Sequence, residues 1–206
     1  MHMPRMLRQL MHRRIVMLSA LVLLVIVVAA IGAPLFASAD PNDTAVLQRL
    51  KAPGAEHLLG TDELGRDLYA RIVYGARYSL SIAALTAIGA VVAGTVLGLM
   101  AGFFRRLDTP LMRVVDAMMA FPDILLAIAL VAILGPSLGN TVLALVLVYT
   151  PRVARVVRAS TLVVRELLFV EAVRALGVRT SRILWRHILP NLMSPILVQV
   201  SFIFAY

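Results

Sequence analysis

Cysteine is absent from the 206 residues, so disulfides and thiolate metal sites are excluded, and redox chemistry says nothing of the compartment. Lysine is reduced to Lys51, between Leu50 and Ala52, beside 19 arginines. A Walker A phosphate loop requires Gly-Lys-Ser or Gly-Lys-Thr, so any ATP chemistry must come from a partner. Charge is sparse as well, at 15% of residues, with 11 carboxylates. What fills the sequence is apolar: 61% hydrophobic residues and a mean hydropathy of +0.90 exceed what a soluble core uses. In lipid the backbone must satisfy its own hydrogen bonds, and the chain reads as an all-α, polytopic transmembrane helical bundle. The formal charge of +9 does not point to nucleic acid, because the arginines are distributed around apolar segments, as membrane orientation requires.

Residues 1–14, with Arg5, Arg8, Arg13 and Arg14, precede the uncharged run Ile15–Phe36. A basic flank and an apolar run also describe a signal peptide, and Ala37-Ser38-Ala39 offers a small-residue cleavage site. The run is longer than a usual signal core and about 20 residues suffice to cross a bilayer, which favours an uncleaved first transmembrane helix over 15–36. Residues 37–79 turn polar and read as a loop with a short helix, in which Thr61 offers an N-cap. His57, Asp62, Glu63 and Asp67 invite a metal reading. Arg66 and Arg71 beside them favour ion pairs or solvated charges, so no metal site is expected.

A second uncharged run, Leu80–Phe104, opens a core domain over 80–206. Within it Ala90, Gly94, Gly98 and Gly102 recur every fourth residue, stacking small residues on one helix face where a neighbouring helix can approach closely. A third span is expected from about Val115 to Leu134. Asp116 and Asp123, seven residues apart, would then share a face, with Pro122 between them. Ionisable groups inside a span suggest a translocation pathway. Both lie in the first turns, however, where headgroups are near, and the helix effectively begins at Pro122 in that reading. Thr141–Tyr149 begins a fourth span, and Arg152, Arg155 and Arg158 mark its emergence into a basic layer. A fifth span starts at Leu192, and the sequence reaches Tyr206 still inside an apolar run, so a C-terminal truncation is expected.

Placing alternate loops on opposite sides puts 15 basic residues with the N-terminus and five in the loop from Ala37 to Tyr78. The N-terminus and the loop 152–191 are therefore expected in the cytoplasm. Within that loop, Glu171–Pro190 reads as two short helices joined at Gly177, a knuckle outside the membrane. Val170, Val173, Ala175 and Leu176 give the first arm an apolar stripe. The second arm, capped by Thr180 or Ser181, carries Ile183, Leu184, Ile188 and Leu189 and is ended by Pro190. Gly177 is the hinge, since glycine accepts positive φ at little steric cost.

The knuckle resembles the cytoplasmic loop of ABC-importer permeases, whose pattern is Glu-Ala-Ala, three residues, Gly, nine residues, Ile, one residue, Leu-Pro. Glu171, Ala172, Gly177, Leu189 and Pro190 fall in register, while Val173 and His187 depart. Arg186-His187-Ile188-Leu189-Pro190-Asn191 is similar to the dipeptide and oligopeptide branch. A second segment, Tyr74-Gly75-Ala76-Arg77-Tyr78-Ser79-Leu80, resembles the approach to the second span in those permeases.

The resemblance implies a type I importer bundle, with about five spans present of an expected six, in a bacterial plasma (inner) membrane. It implies a permease for dipeptides or oligopeptides, similar to the second permease of such systems, with relatives carrying nickel, glutathione or other small solutes. Its partners would be a second permease subunit, an external substrate-binding protein and two cytoplasmic ATPases that hold ATP and Mg, with no cofactor in this chain. Contact with the ATPases would fall to Glu171, Ala172, Gly177, Arg179, Ile183, Leu189 and Pro190. Asp62, Glu63, Arg66 and Asp67 would touch the binding protein or brace the partner permease. An ion- or proton-coupled secondary transporter with Asp116 and Asp123 as carriers is the reading of another class. Such proteins usually show internal repeats, and no segment here has a second copy. A membrane anchor or assembly factor would leave the knuckle without a purpose.

Overall fold

The computed structural model describes residues 14–37 and 39–206, so the arginines of segment 1–13 and Ser38 of the small-residue site lie outside the described residues. Two compact units divide the chain after Ser81. In the first, α1 (Arg14–Ile31) is long and apolar enough to cross a membrane, and a short α2 (Ala33–Phe36) follows. A 3₁₀ turn at Val46–Gln48 then leads into a loop closed on itself by backbone bonds from Leu50 to Asp62 and from Thr61 to Lys51, both 3.1 Å. Beyond an isolated bridge between Thr61 and Asp67, the described residues contain no strand.

Helix α3 runs from Leu68 to Phe103 and so begins well before Leu80, the expected edge of the core domain. The reason is a cap that the sequence reading placed elsewhere. The Asp67 carboxylate, not Thr61, accepts the Ala70 amide at 2.7 Å and satisfies a first-turn donor of α3. With 36 residues the helix is about 54 Å long, well beyond the apolar thickness of a bilayer.

The second unit contains the rest of α3, then α4 (Arg105–Met119), α5 (Asp123–Leu134) and α6 (Leu138–Val164). The expected span Val115–Leu134 is not one helix. It breaks at Ala120–Pro122 and turns by 89°, so Asp116 and Asp123 belong to different helices. Pro122, which has no amide hydrogen, occupies the N-cap position of α5. After α6 come α7 (Leu168–Ala175) and α8 (Thr180–Ile183), with a π turn at Leu184–Ile188, a 3₁₀ turn at Leu189–Leu192 and α9 (Met193–Ala205) in continuation.

Pro190 therefore does not end the second arm. Thr180–Ala205 is one helical run, whose widened turn accommodates the missing proline donor, while the Asn191 side-chain amide donates to the His187 carbonyl at 2.7 Å. Nor do Thr180 and Ser181 cap it. Arg179 is the N-cap residue, with no side-chain capping bond.

Against five expected spans, three described helices are long and apolar enough to cross a membrane: α1, α3 and the run Thr180–Ala205. Counting the bent α4–α5 pair as one span makes four. Helix α6 has the length, but Arg152, Arg155 and Arg158 lie within it and not beyond its end.

The small-residue seam of α3 lies against α6. A Cβ on Gly94 would stand 2.5 Å from the Val153 Cβ, and one on Gly98 would stand 2.7 Å from the Ala154 carbonyl. On Gly102 it would reach the Thr161 Cβ at 2.6 Å, and Ala90 is fully buried. Val153, Val157 and Val164 of α6 continue this core toward Val170, Ile183, Ile188 and Leu192.

Candidate functional site

The arginines of α6 stand at spacings of three, so they share one side of the helix. Each meets an aspartate of α4–α5, in reverse chain order. Arg152 bonds Asp123 at 2.9 Å, Arg155 bonds Asp116 at 2.6 Å, and Arg158 grips both carboxylate oxygens of Asp108. The ladder ties the bent pair to α6, and it places charge in a mostly apolar unit at the lowest cost, by pairing it. Its signal was present in the sequence as the arginine spacing, but the partners lie 29, 39 and 50 residues away.

In the first unit, Asp62 accepts from the amides of Leu64 and Arg66 and from Arg66 Nε, all within 3.0 Å, and Arg71 approaches at 3.7 Å. Asp67 also bonds His57 Nδ1 at 2.8 Å, and His57 Nε2 meets Gln48 at 2.8 Å. Desolvation acts to raise the pKa of both carboxyls. The backbone and arginine donors at Asp62, and the Ala70 amide and His57 at Asp67, outweigh it and hold both below the usual carboxylate range. Asp62, Arg66 and Asp67 are thus engaged in holding the loop together, whereas Glu63 is exposed.

The knuckle turns where the glycine predicts. Gly177 has φ 71° and nothing within 4 Å of the place a Cβ would take, so conformation alone and not crowding selects glycine. Its apolar stripe is narrower than expected. Val170 is fully buried and Val173 packs against the core, but Ala175 and Leu176 are exposed, Leu176 at 81%. The second arm divides likewise. Ile183 is buried and Leu189 half-buried, while Arg179 and Pro190 are exposed, so Ile183 serves the core and is not presented for contact.

Glu171 lies in the first turn of α7, exposed, and takes part in no ion pair among the described residues. Arg174 lies over the Phe103 ring, 4.6 Å from its centroid.

Sequence reasoning missed the outer face of α7. Leu168, Ala172, Ala175 and Leu176 follow the i, i+4, i+7, i+8 rule and are all exposed, Leu168 at 82%. The short helix therefore has two apolar faces, one against its own chain and one uncovered. The signal available was the Leu168–Ala172 spacing, hidden by the stronger stripe around Val170.

Comparison with known proteins matches residues 94–206 to the family described as binding-protein-dependent transport system inner membrane component. Residues 4–53 match the N-terminal transmembrane domain of oligopeptide transport permease C. A protein of Brucella suis named as a peptide transport system permease is 49% identical over 97% of this chain and 67% of its own length. The dipeptide transport system permease protein of Alkalihalophilus pseudofirmus is 44% identical over 94% of this chain and 64% of its own. The glutathione transport system permease protein of Pectobacterium atrosepticum is 37% identical over 94% and 65% respectively. The chain spans about two thirds of the length of each of these relatives.

Proposed function

The chain belongs to the family of binding-protein-dependent transport system inner membrane components, a transport family and not an enzyme family, and from that premise we propose that it imports short peptides as one permease of an ATP-driven complex. The peptide cargo rests on the names of the three relatives, which specify peptide, dipeptide and glutathione. Nucleotide and Mg belong to two separate ATPase subunits, since Lys51 stands in no phosphate loop. A second permease subunit and an external binding protein complete the assembly. The excess of arginine beside the knuckle supports a cytoplasmic position for it and for the N-terminus.

The observation that carries the coupling role is the uncovered face of α7: Leu168, Ala172, Ala175 and Leu176, exposed beside Glu171. A groove on an ATPase that closes over these residues would bury two leucines, each contributing about 1.5–3 kcal/mol before association costs. Val170 transmits the resulting displacement to α6, against whose Val153 and Val157 it shares a core. The other arm needs no joint, because Thr180–Ala205 is a single helical run that leads from the knuckle directly into a span. Motion of the knuckle is therefore motion of α9. The Asp–Arg ladder carries the same motion from α6 to α4 and α5.

Copurification tests this reading. The intact chain with its partner permease should retain ATPase subunits in mild detergent, and Leu168→Glu with Leu176→Glu should lose them while still pairing with the partner permease. Undiminished ATPase recovery in that double variant would remove the docking role from α7.

A further inference from the structure

Beside the knuckle lies a cavity of about 460 Å³ whose walls include Phe103, Arg105, Arg165, Glu166 and Arg174. Three arginines and one glutamate line it. Arg165 is fixed at the wall, with Nη1 on the Gly102 carbonyl at 2.6 Å and Nε on Glu166 at 2.9 Å, and only 13% of its side chain is exposed. Arg174, itself exposed, lies over the Phe103 ring. Arg105 is exposed as well and takes part in no ion pair among the described residues. The cavity adjoins the end of α3, where Phe103 and Phe104 form an edge-to-face pair, with ring centroids 5.2 Å apart. The uncharged run Leu80–Phe104 ends there, and Arg105 and Arg106 follow at once, as arginines flanking a span do at headgroup depth.

We propose that this cavity binds a phosphate group, and that the group is the phosphodiester of an anionic membrane lipid. Guanidinium forks match phosphate oxygens in geometry and charge, and basic pockets between membrane helices at headgroup level take acidic lipids. The cavity has room for a headgroup, and Phe104, 39% exposed, offers an apolar surface for the first part of an acyl chain. The site rests on membrane insertion alone and is independent of which solute is carried.

The test is lipid titration of the full chain in detergent micelles, read by native mass spectrometry, with phosphatidylglycerol, phosphatidylcholine and inorganic phosphate as probes. Phosphatidylglycerol should bind in preference to phosphatidylcholine. Arg105→Gln, which changes an exposed residue, should weaken that binding about fivefold, and Arg105→Gln with Arg174→Gln about 25-fold. Arg113→Gln, at an exposed arginine further along α4, should leave it unchanged. Equal phosphatidylglycerol binding by wild type and both cavity variants would overturn the site. Complete displacement of the lipid by millimolar inorganic phosphate would overturn the lipid as its occupant.

Discussion

Asp108 and Arg158, fifty residues apart in sequence, meet in a two-pronged ion pair, with Arg158 Nη2 2.7 Å from Asp108 Oδ2 and Nε on the other oxygen. This pair is the most enclosed of the ladder, its side chains 25% and 30% exposed, against 61% and 49% for Asp116 and Arg155. Enclosure decides which rung matters, because exposed pairs contribute only about 0–1 kcal/mol while removing one partner of an enclosed pair strands a charge.

Asp108→Ala should therefore destabilise the second unit by about 2–4 kcal/mol, and Asp116→Ala by less than about 1 kcal/mol. Denaturation in detergent, followed by circular dichroism, measures both. A double-mutant cycle with Arg158→Ala should show a coupling well above that of Asp116 with Arg155. Equal coupling in the two cycles would mean that the ladder acts as a diffuse charge layer.

The glycine seam makes a second prediction. Gly98→Val would put atoms against the Ala154 carbonyl and the Arg158 amide, backbone groups that cannot swing aside, so it should cost at least about 1–3 kcal/mol and separate α3 from α6. Gly75, on the same helix with nothing within 4 Å, is the control. Gly75→Ala should be neutral or stabilising by up to about 1 kcal/mol, since only helix propensity changes. Melting temperatures of the two variants decide.

The loop before α3 should be acid-sensitive. The pKa of Asp67 is lowered in the fold, so its contribution is fully present above the ordinary carboxylate pKa of about 3.9 and disappears as pH falls through the lower native value. Limited proteolysis between Ala45 and Leu68 should accelerate as pH is lowered below about 4. Asp67→Asn, which keeps a side-chain oxygen for the Ala70 amide but has no titrating carboxyl, should weaken that acid step and leave the part due to Asp62. An unchanged acid step in the variant would assign it to other groups.

What the sequence made legible was what depends on neighbours in sequence. The four-residue spacing of Ala90, Gly94, Gly98 and Gly102 named a packing face, and Gly177 named a turn with positive φ. Where the outcome depended on distant residues, the reading stopped short. Asp116 and Asp123 were read as pathway charges or as charges at headgroup depth, and not as ion-pair partners, because their arginines were far along the chain. Pro190 looked like a helix end because a proline normally is one, and only the π turn at Leu184–Ile188 reverses that rule. Leu176 looked like part of the buried stripe, and its exposure reflects the turn geometry at Gly177 together with burial of Val170 on the opposite face.

Gly177→Ala and Gly177→Val separate conformation from contact. With open space around the site, strain from positive φ is the only cost, about 1–2 kcal/mol for alanine and more for β-branched valine. Both variants should insert and pair normally, and substrate-stimulated ATP hydrolysis in the reconstituted complex should fall in the order wild type, alanine, valine. Equal stimulation in all three would make the turn a spacer.

The central claim is that the outer face of α7 is the docking surface, and the absence of cysteine allows it to be tested at single positions. Cysteine placed at Ala172 in the assembled complex should react with a membrane-impermeant maleimide only from the cytoplasmic side, and the ATPase subunits should protect it. Cysteine at Glu63, in the loop before α3, should react only from the other side and without regard to the ATPases. Labelling of Ala172→Cys that is the same with and without ATPase, or that comes from the external side, would contradict the account.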